Sequence, residues 1–305
     1  MTTVLPRLAL PFVLFAGAPL AAQDEAASEK SGETWGGTEI VVTGRNPNEV
    51  DAREVTRQAR SITRETNLRH EPVALFAEPA CPGVAGLQVR FAETVVARFR
   101  LVAEELDIPL APEGTCRPNI IISFSKDPRA GLEALNKKTG VLSYNLSAAE
   151  RRELTEKDEP VKVYSLVEDV MRNGQVIPRR QNLTQIPVGT QEGGQSLISN
   201  GIRRNITSVT VVFDSDFIGG KSLRQLADYA VMRVFARTKD AKGSNAPDSI
   251  LSLFGTDPDV VPPSGLTDFD RAYLTSLYEG SPYGDGLNSV QRVAQVLKRQ
   301  LGGDE

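Results

Sequence analysis

Apolar positions along the chain recur at two periods. Between residues 88 and 107, Phe91, Val95, Phe99, Val102 and Leu106 fall on one helical face, while Arg90, Glu93, Arg98, Glu104 and Glu105 fall mostly elsewhere. This spacing predicts an amphipathic helix. Residues 119–125, "NIIISFS", form an unbroken apolar run bounded by polar residues, the mark of a buried strand. A shorter apolar run, 73–77, precedes the helix and ends at Cys81-Pro82. The three segments together predict a strand–helix–strand unit. Residues 208–214, "SVTVVFD", give the strongest strand pattern in the chain.

Local signals delimit the rest. Residues 161–172 and 175–178, joined by Asn173-Gly174, predict a hairpin with a tight turn. Asp127-Pro128 opens a helix to about residue 138, and the capping box "SAAE" at 147–150 opens another. Ser222 and Gln225 cap a helix over 223–237 that is apolar almost all round and is therefore expected to be buried. Thr267 caps a helix with Phe269, Ala272, Tyr273 and Leu277 on its inner face. The last helix, 289–301, turns Val290, Val293, Leu297 and Leu301 inward and stops at Gly302-Gly303. In the charged stretch 48–66, Val50, Val55, Ala59 and Ile62 predict a helix docked weakly on the body. Residues 191–201 read as a loop, and 240–265 as a long loop around "SILSLF". The expected class is α+β, a mixed β-sheet with packed helices and no internal repeat.

The N-terminal residues read as a secretory leader over 1–22, with Arg7, an apolar run 8–20 broken by Pro11 and Pro19, then Ala21-Ala22 before Gln23. That run is short of the ~20 residues a membrane helix needs. No later run is apolar enough to span, so a soluble periplasmic or secreted chain is expected after cleavage. Residues 23–48 are small and polar at first and read as a flexible linker ending in a strand; 49–305 read as one α+β domain, with a subdivision near 185–205. Export makes a disulfide the simplest reading of Cys81 and Cys116, since their spacing is far from C-x-x-C and the chain has one His.

A net charge of −4 supplies no field for nucleic acid, and 6% aromatic residues without a repeated pattern argue against a glycan platform. His70 is the only imidazole, in "LRHEP", and there is no G-x-S-x-G motif for a nucleophile. Asp214 and Asp216 follow the strongest strand, and carboxylates so placed can hold Mg²⁺, Mn²⁺ or Ca²⁺. The same Asp-Ser-Asp, completed by Gly219-Gly220, also fits a plain turn. Ile218 stands where a D-x-D-x-T phosphatase motif needs Thr. Asp228 and Tyr229, on the buried helix, are candidates to share a cleft with that pair. Glu168/Asp169 and Asp268/Asp270 would form a glycosidase couple only at about 5–10 Å across a sugar, and Asp270 is better placed as a helix N3 residue. The Arg179/Arg180 and Arg203/Arg204 pairs flank strands and are expected to face solvent.

Two stretches resemble known families. Residues 37–47, "GTEIVVTGRNP", resemble the segment that opens TonB-dependent outer-membrane receptors, between leader and plug, although 305 residues leave no room for a large receptor barrel. The resemblance implies that Glu39, Ile40, Val41, Val42 and Thr43 form a strand for pairing with an envelope partner. Over about residues 209–278, the order of strand, buried helix, "DSILSLF" and "LTDFDRAYLTSLY" resembles the C-terminal half of an uncharacterised family of exported Gram-negative envelope proteins. Some relatives of that family look zincin-like, with the buried helix in the place of the zinc helix. A zinc peptidase needs two His one turn apart and a Glu, and "LRQLADYAVMRVFA" has none of them. The resemblance therefore implies a non-catalytic version. The expectation is an exported binding protein without cofactor. The alternative is a carboxylate- or metal-dependent hydrolase or transferase, using a divalent cation at Asp214/Asp216.

Overall fold

The structure, a computed structural model, describes residues 49–302 apart from 66, 141, 143–145, 147, 157, 179–200 and 240–245. The leader, the linker with its receptor-like strand, Arg179/Arg180, Ser147 and most of the 185–205 region lie outside the described residues.

The fold is α+β, as expected. In chain order it runs α1 (Ala52–Ile62), β1 (Ala74–Phe76), β2 (Pro82–Ala85), α2 (Val89–Glu105), β3 (Ile120–Ser125) and α3 (Pro128–Thr139). It continues with α4 (Ala148–Glu156), β4 (Val161–Met171), β5 (Val176–Ile177), β6 (Ile202–Asp214) and α5 (Leu223–Phe235). A 3₁₀ turn (Ile250–Phe254), α6 (Asp268–Tyr278) and α7 (Gly286–Gly302) complete it.

β6 is the spine of a six-stranded mixed sheet. The antiparallel β4 follows one edge of β6 from Val161↔Phe213 to Met171↔Ile202, with a register shift at Leu166/Val167. On the other edge two parallel strands lie end to end, β3 beside Val209–Asp214 and β1 beside Arg204–Ile206. β2 extends the sheet beyond β3, also in parallel. β6 starts six residues earlier than its apolar pattern suggests, at Ile202. Its polar first half, "IRRNIT", is strand because β1 and β4 pair with it from both sides.

The strand–helix–strand unit is β2–α2–β3, which corrects the sequence reading in one respect. Its first strand is Pro82–Ala85, whereas the apolar run before it pairs with β6. Pro82 reads as a breaker, yet proline is tolerated as the first residue of an edge strand. The Cys81–Cys116 disulfide forms and ties the start of β2 to the loop before β3. Closing a loop of 35 residues contributes about 3–4 kcal/mol on the chain-entropy estimate. Asn119 reinforces the same junction, its Oδ1 accepting from Cys81 N–H at 2.9 Å and its Nδ2 donating to Pro79 O at 3.1 Å.

The two sheet faces are unequal. The larger core lies where α2 and α5 cover the sheet, with α6, α7 and α1 packed around them. Every residue of α5 from Leu226 to Phe235 is buried, as the all-round apolar pattern predicts. A smaller cluster of Leu132, Leu142, Leu154, Tyr164 and Val212 fills the other face beneath α3 and α4. α1 is docked more firmly than its charged sequence suggests. Ala59 and Ile62 are 0% and 2% exposed, and Thr63 Oγ1 shares a 2.8 Å hydrogen bond with the Tyr273 hydroxyl. The Tyr278 hydroxyl accepts from Phe76 N–H and donates to Phe235 O, so α6 joins β1 to the end of α5. Burial pushes both phenols well above the usual tyrosine range. Among the described residues no helix is long and apolar enough to cross a membrane.

Candidate functional site

Parallel β3 and β6 end together, with Ser125 opposite Asp214, and antiparallel β4 begins at the same border, with Val161 opposite Phe213. In open sheets ligands bind outside the carboxyl ends of parallel strands. A cleft of about 550 Å³ lies there. Asp158, Glu159 and Pro160, which lead into β4, form one wall together with Val161. Phe217 and Lys221 come from the segment joining β6 to α5, Tyr229 from α5, and Leu251, Leu253 and Phe254 from the 3₁₀ turn. Two other concavities, beside Arg64 and Arg233, hold only about 30 Å³ each, room for a water.

The floor continues an aromatic cluster of the core. Phe124 stacks on Phe213 at 5.0 Å, Phe213 meets Tyr229 at 5.9 Å and Phe254 at 6.0 Å, and Tyr229 meets Phe254 edge-on at 5.0 Å. These contacts fix the rings of the floor. Among the lining residues Phe217 is half exposed, and the Lys221 ammonium stands 4.9 Å from the Phe254 ring centroid.

Two buried carboxylates hold the segment that carries the 3₁₀ turn. Asp270 is the N3 residue of the α6 capping box, as the sequence suggests, but its side chain also reaches upstream. It accepts from Ser249 Oγ at 2.5 Å, Ile250 N–H at 2.8 Å and Thr267 N–H at 3.1 Å. Thr267 Oγ1 completes the knot by donating to Asp248 O at 2.6 Å. Desolvation pushes the Asp270 carboxyl up to about 6, against the downward pull of its hydrogen bonds. The sequence signal for this second role was Ser249, directly before the apolar run "ILSLF" that reads only as loop.

Asp228 is the other anchor. It accepts from Arg98 Nε at 2.7 Å on Oδ1, and from Arg98 Nη2 at 3.0 Å and Leu266 N–H at 2.9 Å on Oδ2. Asp228 is 0% exposed and Arg98 is 8% exposed. Gly265 is required beside them, because a Cβ there would lie 2.6 Å from Asp228 Oδ2.

The cleft suggested by the sequence is thus corrected. Of Asp214, Asp216, Asp228 and Tyr229, only Tyr229 lines the cleft, and Asp228 is sealed in an ion pair. Asp214 and Asp216 shape a turn at its edge. Asp214 Oδ1 accepts from Asp216 N–H at 3.0 Å, Asp214 N–H donates to Pro160 O at 2.9 Å, and Phe217 N–H donates to Asp214 O at 3.1 Å. That turn delivers Phe217 to the cleft. Among the described residues no group of three or more His, Cys, Asp or Glu is placed to hold a metal ion. His70 lies in an exposed turn near Asn67, and Asp169 pairs with Arg204 at 3.5 Å. Arg204, which was expected to face solvent, is mostly covered and also pairs with Glu71 at 3.4 Å. No family model, curated protein or solved structure matches this chain.

The Asp270 knot predicts a pH dependence. Its folded value of about 6 lies above the ordinary 3.8, so the folded state binds the proton more tightly between those values. The stability of the wild type relative to Asp270→Asn is then highest below pH ~4 and falls as pH rises through ~6, by on the order of 2–3 kcal/mol. Urea unfolding of both proteins across that range measures it, and a pH-independent difference contradicts it.

Proposed function

We propose that this chain is an exported envelope protein that binds a small apolar ligand and catalyses nothing. The cleft at the carboxyl edge of the sheet carries this reading. Its volume falls in the usual range for small-molecule sites, about 300–1,000 Å³. Its lining combines Phe217, Tyr229, Leu251, Leu253 and Phe254 with Asp158, Glu159 and Lys221. No His, Ser or Cys lines it. The leader over 1–22 and the resemblance to exported envelope proteins support the location.

Nile red, a neutral apolar dye, tests the site. Wild-type protein is expected to bind it saturably at one site with increased fluorescence. Leu253→Trp, which fills the cleft, loses that signal while melting within a few degrees of wild type. Non-saturable binding, or equal binding by a folded Leu253→Trp, defeats the proposal. The melting temperature is expected to be insensitive to Mg²⁺, Mn²⁺ and Ca²⁺. A rise in wild type that is absent in Asp214→Ala would instead favour the metal-dependent hydrolase or transferase.

A second contact is proposed for the receptor-like segment. The β-branched residues Ile40, Val41, Val42 and Thr43 suit strand addition to a partner's sheet edge. Deleting residues 37–47 is expected to reduce recovery of envelope partners in a pull-down; unchanged recovery removes this role.

A further inference from the structure

We infer that Phe217 is the residue that grips the ligand of this cleft, and that Asp214 is its positioning residue. The inference rests on the cleft being the binding site and goes further by naming where its affinity comes from. Hydrophobic affinity grows with the apolar area that binding takes out of water. Phe217 is 50% exposed in the free protein, whereas Tyr229, Leu251 and Leu253 are each 5% exposed or less. Those three shape the wall but have almost no area left to bury. The Phe254 ring is engaged as well, by Tyr229, Phe213 and the Lys221 ammonium. Phe217 makes no ring or cation contact among the described residues. A buried aromatic side chain covers about 150–250 Å², so a ligand that covers half of the exposed part of Phe217 gains about five- to tenfold in affinity.

An exposed ring on a loose segment would lose that gain to the cost of ordering it. The backbone that carries Phe217 is tied at each step. Asp214 N–H donates to Pro160 O at 2.9 Å and Ser215 N–H to Ser125 O at 2.8 Å, which fasten the turn to the segment before β4 and to the end of β3. Asp214 Oδ1 accepts from Asp216 N–H at 3.0 Å, and Asp214 O accepts from Phe217 N–H at 3.1 Å. The Asp214 carboxylate works here as a hydrogen-bond acceptor, and an amide oxygen in its place accepts the same bond. The Asp-Ser-Asp motif thus has a use that requires no cation.

Dissociation constants of Nile red, measured beside melting temperatures, test both parts. Phe217→Ala is expected to weaken the dye about five- to tenfold while melting like wild type, because the ring it removes is half exposed. Phe217→Trp, which keeps an apolar ring, retains the affinity. Val176→Ala, at a residue 47% exposed on β5 and outside the lining, leaves it unchanged. Asp214→Ala weakens the dye, and Asp214→Asn, which keeps the acceptor and loses the charge, restores it. Equal affinity in wild type and Phe217→Ala, or an equal loss in Val176→Ala, overturns the assignment of Phe217. Wild-type affinity in Asp214→Ala, or an Asp214→Asn as weak as Asp214→Ala, overturns the role of Asp214. If wild type itself shows no saturable binding, the cleft reading fails and the inference falls with it.

Discussion

The ion pair between Asp228 and Arg98 is the constraint on which the rest of the structure depends. Taking two such charges out of water costs several kcal/mol per ion, so the pair survives only with near-complete hydrogen bonding. Asp228 has it, with two donors from Arg98 on α2 and one from the backbone of Leu266. The consequence is geometric. α5 is apolar on nearly every side, and hydrophobic burial alone would leave its rotation poorly specified. One carboxylate with a fixed partner sets that rotation. It turns the neighbouring Tyr229 toward the sheet edge, and it requires glycine at position 265, where any side chain would strike the carboxylate.

A second buried carboxylate completes the frame from the other end of the same segment. Asp228 holds the chain at Leu266, while Asp270 holds it at Ser249, Ile250 and Thr267. The 3₁₀ turn between these clamps supplies Leu251, Leu253 and Phe254 to the cleft. Its wall is therefore preformed, which lowers the ordering cost of binding. Asp158, Phe217 and Lys221, which also line the cleft, stand on connecting segments outside these clamps.

Much of this was legible in the chain. The buried stripe Val95, Phe99 and Val102 of α2, the caps Ser222 and Thr267 and the Asn173-Gly174 turn rest on local rules that tertiary context did not override, whereas Arg98, read as lying off that stripe, is buried against Asp228. The misreadings share a cause, which is that their determinants are distant in sequence. Residues 202–207 look too polar for a central strand until β1 and β4 pair on either side. Pro82-Gly83 looks like a break until β3 lies beside it. Asp228 looked like a cleft residue because its partner stands 130 residues away on another helix. The cleft was invisible for the same reason, since its residues come from four separate segments and only Tyr229 was marked by being polar on an apolar helix.

A double-mutant cycle on Arg98→Met and Asp228→Leu, read by urea unfolding, tests the central claim most directly. Each single change breaks the buried pair and is expected to cost about 3–5 kcal/mol, with Arg98→Met at the lower end because Arg224 Nε still stands 3.9 Å from Asp228 Oδ2. The double change replaces both charges by apolar side chains of similar size and should cost well under the sum, giving a coupling above about 2 kcal/mol. Additive losses, or singles costing less than about 1 kcal/mol, would mean that α5 is held by packing alone and that the pair does not set the frame of the cleft.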